Sequence, residues 1–117
     1  MARKKHRVAQ VKEKPPENPN EYNGWKNYET WAVNLWIDNE QRSQEYAQDL
    51  LNSSKNPDEG TWRRNLADAL KEWIEDSMPD LGATLWADLL NAAFSEVNWY
   101  EIAGTMIKNA EYEANKK

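Results

Sequence analysis

The side chains that most often carry enzymatic chemistry are scarce in this chain of 117 residues. The sequence has one histidine, His6, and no cysteine, so a histidine general base, a thiolate nucleophile and a thiolate metal site have little support. It also contains no P-loop, GxGxxG, HExxH or calcium-loop pattern. We interpret His6 as a solvated residue of a basic tail. We therefore predict no catalytic residue, no enzymatic activity and no cofactor.

Carboxylates on one side of a predicted helix are the remaining candidates for metal chemistry. They could line a site for a hard cation, and they are Asp68, Glu72, Glu75 and Asp76. A di-metal site in a helical bundle would use Glu-x-x-His pairs, and the sequence has none. We therefore predict no metal site and interpret these carboxylates as a solvent-facing surface. Glu72, Glu75 and Asp76 are also candidate partner-binding residues.

Charge divides the chain into two unlike parts. The formal charge of −5 combines +5 over residues 1–14 with −10 over residues 15–117. The basic candidates for nucleic-acid binding are Arg3, Lys4, Lys5, Arg7, Lys12 and Lys14. Such a segment could bind phosphates in a salt-dependent, sequence-independent way, or it could only keep the protein in solution. The acidic body raises the opposite hypothesis, that it imitates DNA, although acidity alone also favours solubility.

Aromatic residues are abundant, with seven Trp and five Tyr in a chain that is only 39 % hydrophobic. Large rings at helical spacing are typical of a core, and we expect Trp31 and Trp36 to be buried. We expect truncation of Trp31, Trp73 or Trp86 to remove about 3–5 kcal/mol of stability each. Because Tyr22 and Trp25 precede the first helix, we predict that they are partly exposed and can contact a partner.

Apolar spacing predicts an all-α fold, a compact bundle of four to five short helices with a Trp-rich core. A disordered, basic, Pro-rich tail over residues 1–21 should precede a domain over 22–113, with a frayed end over 114–117. The helices are expected over about 28–39, 42–52, 62–78, 81–95 and from 99 onward. The expected N-caps are Asn27, Thr61, Asp80 and Asn98, with Glu101 reaching back to complete a capping box. We expect the fourth helix at the centre of the fold.

Residues 22–40 carry a distinctive string, in which residues 23–36 read NGWKNYETWAVNLW. The string resembles a largely uncharacterised family of small proteins of phages, plasmids and other mobile elements, with the signature NGW-x-NYETW-x-V-x-LW. It covers about one sixth of the chain. The resemblance brings no catalytic assignment, and it implies an accessory protein that acts inside a bacterial or archaeal cell.

These observations favour a small acidic protein that binds and modulates a host or element-encoded protein. One version of the hypothesis is inhibition of a nucleic-acid-handling defence system. The alternative is a nucleic-acid-associated accessory protein that binds through its basic arm. Neither a membrane span nor a signal peptide is recognisable, so we expect no membrane partner and a cytoplasmic location.

Overall fold

The computed structural model describes residues 21–116, which form five α-helices. The helices are α1 (Tyr28–Asn39), α2 (Gln41–Ser53), α3 (Glu59–Asp76), α4 (Leu85–Ser95) and α5 (Trp99–Lys116). The only strand-like pairing in the described part is a single antiparallel bridge between Tyr22 and Trp25. The all-α prediction is therefore confirmed. The predicted tail lies almost wholly outside the described residues, and α5 includes residues 114–116.

Two long helices form the centre of the fold. α3 and α5 have 18 residues each and make the most extensive helix pair, and α1 and α2 pack against them. Their contact contains the fully buried Leu66 and Leu70 of α3 and Ile102 and Ile107 of α5. Leu66 and Leu70 are four residues apart and lie on one face of α3. Ile102 and Ile107 are five residues apart and lie at the two edges of a wider buried face of α5 that also holds Trp99 and Ala103.

Side-chain caps fix where the helices begin. Asn27 accepts from the backbone N–H of Thr30 at 2.9 Å, as predicted for α1. The prediction for α3 is wrong by three residues, because Asp58 caps the helix by accepting from the N–H of Thr61 at 2.9 Å. Thr61 instead donates its hydroxyl to Asp58 at 2.6 Å.

The start of α4 also differs from the prediction. Thr84 caps this helix by accepting from the N–H of Ala87 at 3.1 Å, whereas Asp80 accepts from the N–H of Gly82 within the preceding loop. Gly82 has a φ of 64°, a left-handed conformation that breaks helical geometry. Residues 79–84 therefore form a loop, and α4 begins four residues later than expected.

The position of α4 contradicts the prediction that it is central. No residue of α4 is buried, and the helix makes at most marginal contact with the other helices. Its weak attachment includes Phe94, whose ring centroid lies 5.4 Å from that of Trp99. Trp86 belongs to this helix and is exposed, so its expected role in the core is wrong as well.

The other tryptophans divide between core and surface. Trp31 and Trp62 are buried, and the indole N–H of Trp62 donates to the carbonyl of Leu51 at 2.9 Å. Trp73 is half-buried beside the ring of Tyr46. Trp36 is 53 % exposed, which contradicts its predicted burial. Helical spacing alone did not separate these cases.

Candidate protein-binding surface

The outer face of α4 presents large apolar side chains to solvent. Leu85 is 63 % exposed, Trp86 is 65 % exposed and Leu89 is 53 % exposed. Ala92 and Ala93 are exposed farther along the same helix. At 3.6 residues per turn, these five residues lie within about 120° of the helix circumference. We call these five residues the α4 stripe. An apolar stripe of this width on a helix normally faces the core of a protein.

The opposite side of α4 rests against the rest of the chain. Ala87, Leu90 and Phe94 are half-buried. Ala87 and Leu90 line a shallow cavity of about 180 Å³ together with residues of the loop before α4, among them Met78 and Leu81. The helix is therefore apolar on both sides, but only one side is covered. A soluble helix that is apolar all round is normally enclosed by protein.

Charge is sparse along α4. Asp88 is its only charged residue, although 30 % of the chain is charged. Depletion of charge around exposed aromatic and aliphatic residues is typical of the centre of a protein–protein interface. A contiguous apolar patch of this kind marks an interaction site more often than scattered exposed residues do.

The predicted partner-binding residues Tyr22 and Trp25 lie in a tight turn before α1. Their backbones exchange two hydrogen bonds of 2.7 and 2.8 Å, and Asn23 and Gly24 between them have positive φ angles of 50° and 89°. Both side chains are half-buried. The ring centroid of Tyr22 lies 4.8 Å from that of Trp31, and Trp25 packs against the core. These contacts indicate that the turn closes the bundle.

The NYET part of the string builds a polar junction between the start of α1 and the start of α5. Thr30 is completely buried, and its hydroxyl donates to Asn27 at 2.6 Å and accepts from the N–H of Asn98 at 2.8 Å. The side-chain amide of Asn27 donates to the carbonyl of Glu96 at 2.7 Å. These bonds satisfy polar groups that would otherwise be costly to bury, so the string has a structural explanation.

Glu101 extends this junction in a way that corrects the predicted capping box. Asn98 does accept from the N–H of Glu101 at 3.1 Å, as expected for an N-cap. The Glu101 carboxylate, however, accepts from the backbone N–H of Lys26 at 3.1 Å. The N–H of Asn98 is bonded to Thr30 instead. The Glu101 side chain and the Asn98 backbone N–H therefore connect segments about 70 residues apart, while the Asn98 side chain makes the local cap.

The acidic candidates Glu72, Glu75 and Asp76 are all exposed near the C-terminal end of α3. Negative charge is unfavourable there, because the helix dipole places partial negative charge at this end, and no basic residue occupies the last turn. The described residues 21–116 contain no group of three or more His, Asp or Glu side chains placed to hold a metal ion. α3 and α4 make at most marginal contact, so helix packing does not connect these carboxylates to the α4 stripe.

A cavity of about 420 Å³ is an open groove where the end of α1 meets α2 and α5. Ile37, Leu51 and Met106 supply part of its apolar wall, and Asp38 and Glu113 are its carboxylates. Partial burial raises the pKa of Asp38, and the hydrogen bond from Asn34 opposes this shift. No Ser, Thr, Cys, Lys, Tyr or His side chain lines this groove, so the two carboxylates are the only lining groups of a nucleophilic type.

Sequence reasoning missed the α4 stripe, although a signal for it exists. The polar residues of the helix, Asp88, Asn91 and Ser95, form a narrow line that leaves two apolar sides, and Pro79 and Gly82 separate the helix from α3. The six basic candidates of residues 1–14 lie outside the described residues. Within residues 21–116, no helix is both long enough and apolar enough to cross a bilayer.

Fold and surface together define a small all-α protein with one apolar helical face left uncovered. Residues 18–116 match the model of the family of unknown function DUF7249. The chain belongs to this family. Neither a curated protein nor a solved structure matches it.

Proposed function

We propose that this protein is a non-enzymatic protein-binding module, and that the α4 stripe is its contact surface. The observation that carries the proposal is the exposure of Leu85, Trp86 and Leu89 on a helix with no buried residue. Burying such side chains against a partner stabilises a complex by roughly 1.5–3 kcal/mol each. Tryptophan is also enriched among the residues that dominate binding energy.

Affinity capture with matched variants tests this proposal. The tagged full chain is incubated with lysate of a bacterial host, next to Leu89→Asp and Tyr112→Asp. Tyr112 lies on α5 and is 64 % exposed, so its variant adds the same charge at a similarly exposed position away from the stripe. We expect Leu89→Asp to lose a partner that the wild type and Tyr112→Asp retain. Equal recovery by both variants would refute the stripe as the contact surface for a host protein.

The finer proposal is that the protein acts for a phage or other mobile element on a host or element-encoded protein. The net charge of −10 over residues 15–117 supports a target with a basic channel, such as a nucleic-acid-handling defence complex. A target recognised in this way would lose affinity as salt rises. An interaction through the α4 stripe alone would be nearly insensitive to salt, so capture at two salt concentrations separates the two modes.

The charge of +5 over residues 1–14 supports a second candidate function, direct association with nucleic acid. The expected binding is weak and independent of base sequence, and it falls steeply with salt. Titration of labelled DNA and RNA at 50 and 200 mM salt tests it, with the full chain against a full-length variant carrying glutamine at the six basic positions. Equal binding by both proteins, or none at low salt, would refute an arm that binds nucleic acid.

A further inference from the structure

We infer that the partner that covers the α4 stripe is a second copy of this chain, bound through an antiparallel pair of α4 helices. This inference rests on the proposed function and names the partner of the same surface. A two-fold axis passing between the helices at Leu89 would relate the two copies. Such an arrangement is self-complementary, so it closes as a dimer and leaves no further binding edge.

The order of side-chain sizes along α4 supports this pairing. The large exposed residues Leu85 and Trp86 precede Leu89 by four and three positions, and the small residues Ala92 and Ala93 follow it by three and four. A two-fold axis at Leu89 therefore places Trp86 opposite Ala93 of the second copy and Leu85 opposite Ala92, with each pair within about one residue rise of the same height. Each large side chain meets a small one, which is the arrangement that lets packed layers interdigitate.

The same axis also matches the sides of the helix. Viewed along the helix, Trp86 and Ala93 lie on one side of Leu89, and Leu85 and Ala92 lie on the other, at 100° per residue. The two-fold operation reverses the direction along the helix and turns the two stripes toward each other, but it keeps the lateral side. Trp86 consequently meets Ala93 of the second copy on one side of the axis, and Leu85 meets Ala92 on the other. Two copies of Leu89 meet at the axis.

Charge does not oppose the contact, although each body is acidic. Asp88 is the only charged residue of α4, and it lies beside the stripe. Repulsion between charges elsewhere on the two bodies is screened beyond about 8–10 Å at ordinary salt. A helix with more carboxylates on its outer face could not pair with itself in this way.

The exposed area indicates a weak and reversible dimer. The three large side chains expose on the order of 300–400 Å² together. Two copies would therefore bury about 700 Å² from these residues, which is below the roughly 1,200–2,000 Å² of a standard stable interface. We expect a dissociation constant of about 10–100 µM, because an interface of this size leaves little surplus after the entropy cost of association.

Sedimentation equilibrium of the full chain from about 1 to 500 µM tests the inference. The wild type should pass from monomer to dimer over this range. Leu89→Asp should weaken the dimer at least tenfold, because two carboxylates would meet at the axis, and Tyr112→Asp should match the wild type. Circular dichroism confirms that both variants are folded. A wild type that stays monomeric, or a Leu89→Asp variant that dimerises like the wild type, would overturn the inference.

The capture experiment separates this failure from failure of the proposed function. If the wild type is monomeric but Leu89→Asp still loses a partner that Tyr112→Asp retains, the second copy is wrong and the protein-binding surface stands. If the wild type is monomeric and both variants recover the same proteins, both ideas fall. A dimer that Leu89→Asp disrupts and Tyr112→Asp preserves supports both.

Discussion

Truncation of two tryptophans to alanine should have very different effects on stability. Trp62 is 7 % exposed and donates a hydrogen bond to the carbonyl of Leu51. Its removal leaves a cavity and an unpaired carbonyl, and we expect a loss of about 3–5 kcal/mol. Trp86 is 65 % exposed in a helix with no buried residue. Its removal should change the free energy of unfolding by less than about 1 kcal/mol.

Urea unfolding followed by far-ultraviolet circular dichroism measures both values, since helical signal survives the loss of a tryptophan. A protein concentration near 1 µM keeps the chain monomeric, so that dimerisation does not add to stability. If Trp62→Ala fails to fold, Trp62→Phe keeps most of the ring and still removes the hydrogen bond, and it should lower stability by about 1–3 kcal/mol. A loss for Trp86→Ala as large as that for Trp62→Ala would refute the peripheral position of α4.

Three further substitutions test the packing, the polar junction and a helix cap. A Cβ at Gly104 would meet the Arg63 guanidinium at 2.5 Å. Gly104→Ala should therefore be near neutral in the wild type, where the clash offsets the helix preference of alanine, and stabilising by about 1 kcal/mol in an Arg63→Ala background. A double-mutant cycle by urea unfolding checks this, and additive effects would contradict the contact. Thr30→Val should lose about 1–3 kcal/mol because it leaves the N–H of Asn98 unpaired; unchanged thermal unfolding would contradict the junction. Asp58 accepts hydrogen bonds from the Thr61 hydroxyl and, with a smaller effect, from the Thr61 N–H, and these bonds lower its pKa from 3.8. The ionised cap therefore stabilises α3 fully above pH 3.8, and this stabilisation is lost as pH falls through the lower folded-state pKa. Asp58→Asn should remove this part of the acid sensitivity. Unfolding at pH 6 and pH 3 tests this, since the variant should lose less stability between the two pH values than the wild type does.

The sequence predicted α1 in full because its signals are local. Asn27 is a strong N-cap, and the apolar run that follows it is consistent with one helix from Tyr28 to Asn39. The start of α3 was predicted three residues too late, because Asp58 and Thr61 are both residue types that cap helices and the prediction chose Thr61. The structure uses both, with Asp58 as the cap and Thr61 as its hydrogen-bond donor.

The placement of α4 could not be predicted from periodicity. Periodicity shows which residues share a side of a helix, but a helix with two apolar sides gives no information about which side is covered. Burial also depends on the path of the chain, and the loop over 79–84 carries α4 away from the α3–α5 pair. The contact between Glu101 and Lys26 was missed for a similar reason, because it joins residues 75 positions apart.

The string over residues 23–36 has a structural explanation, while the proposed binding function depends on residues outside it. Its buried members, Thr30 and Trp31, and its cap, Asn27, join α1 to the start of α5. Tyr28 and Trp36 of the string are exposed. Trp36 lies beside Ala32 and Val33 at an open apolar cavity of about 310 Å³. The candidate surface is instead formed by α4, whose residues carry no recognised motif.

Disulfide cross-linking at the proposed two-fold axis tests the central claim most directly. The chain has no cysteine, so a single Leu89→Cys substitution introduces the only thiol. Two copies of residue 89 meet at the axis, where helix packing brings their Cα atoms within the roughly 4.4–6.8 Å that a disulfide spans. Two copies of residue 85 would lie about 12 Å apart along the helix, which makes Leu85→Cys the matched control.

Mild oxidation at 50 µM should convert Leu89→Cys to a covalent dimer and leave Leu85→Cys largely monomeric. Mixing Leu85→Cys with Ala92→Cys should restore cross-linking, because the axis places these positions opposite each other on the same side. Two results would contradict the antiparallel α4 pair. One is that Leu85→Cys by itself cross-links as well as Leu89→Cys does. The other is that neither Leu89→Cys nor the mixture cross-links.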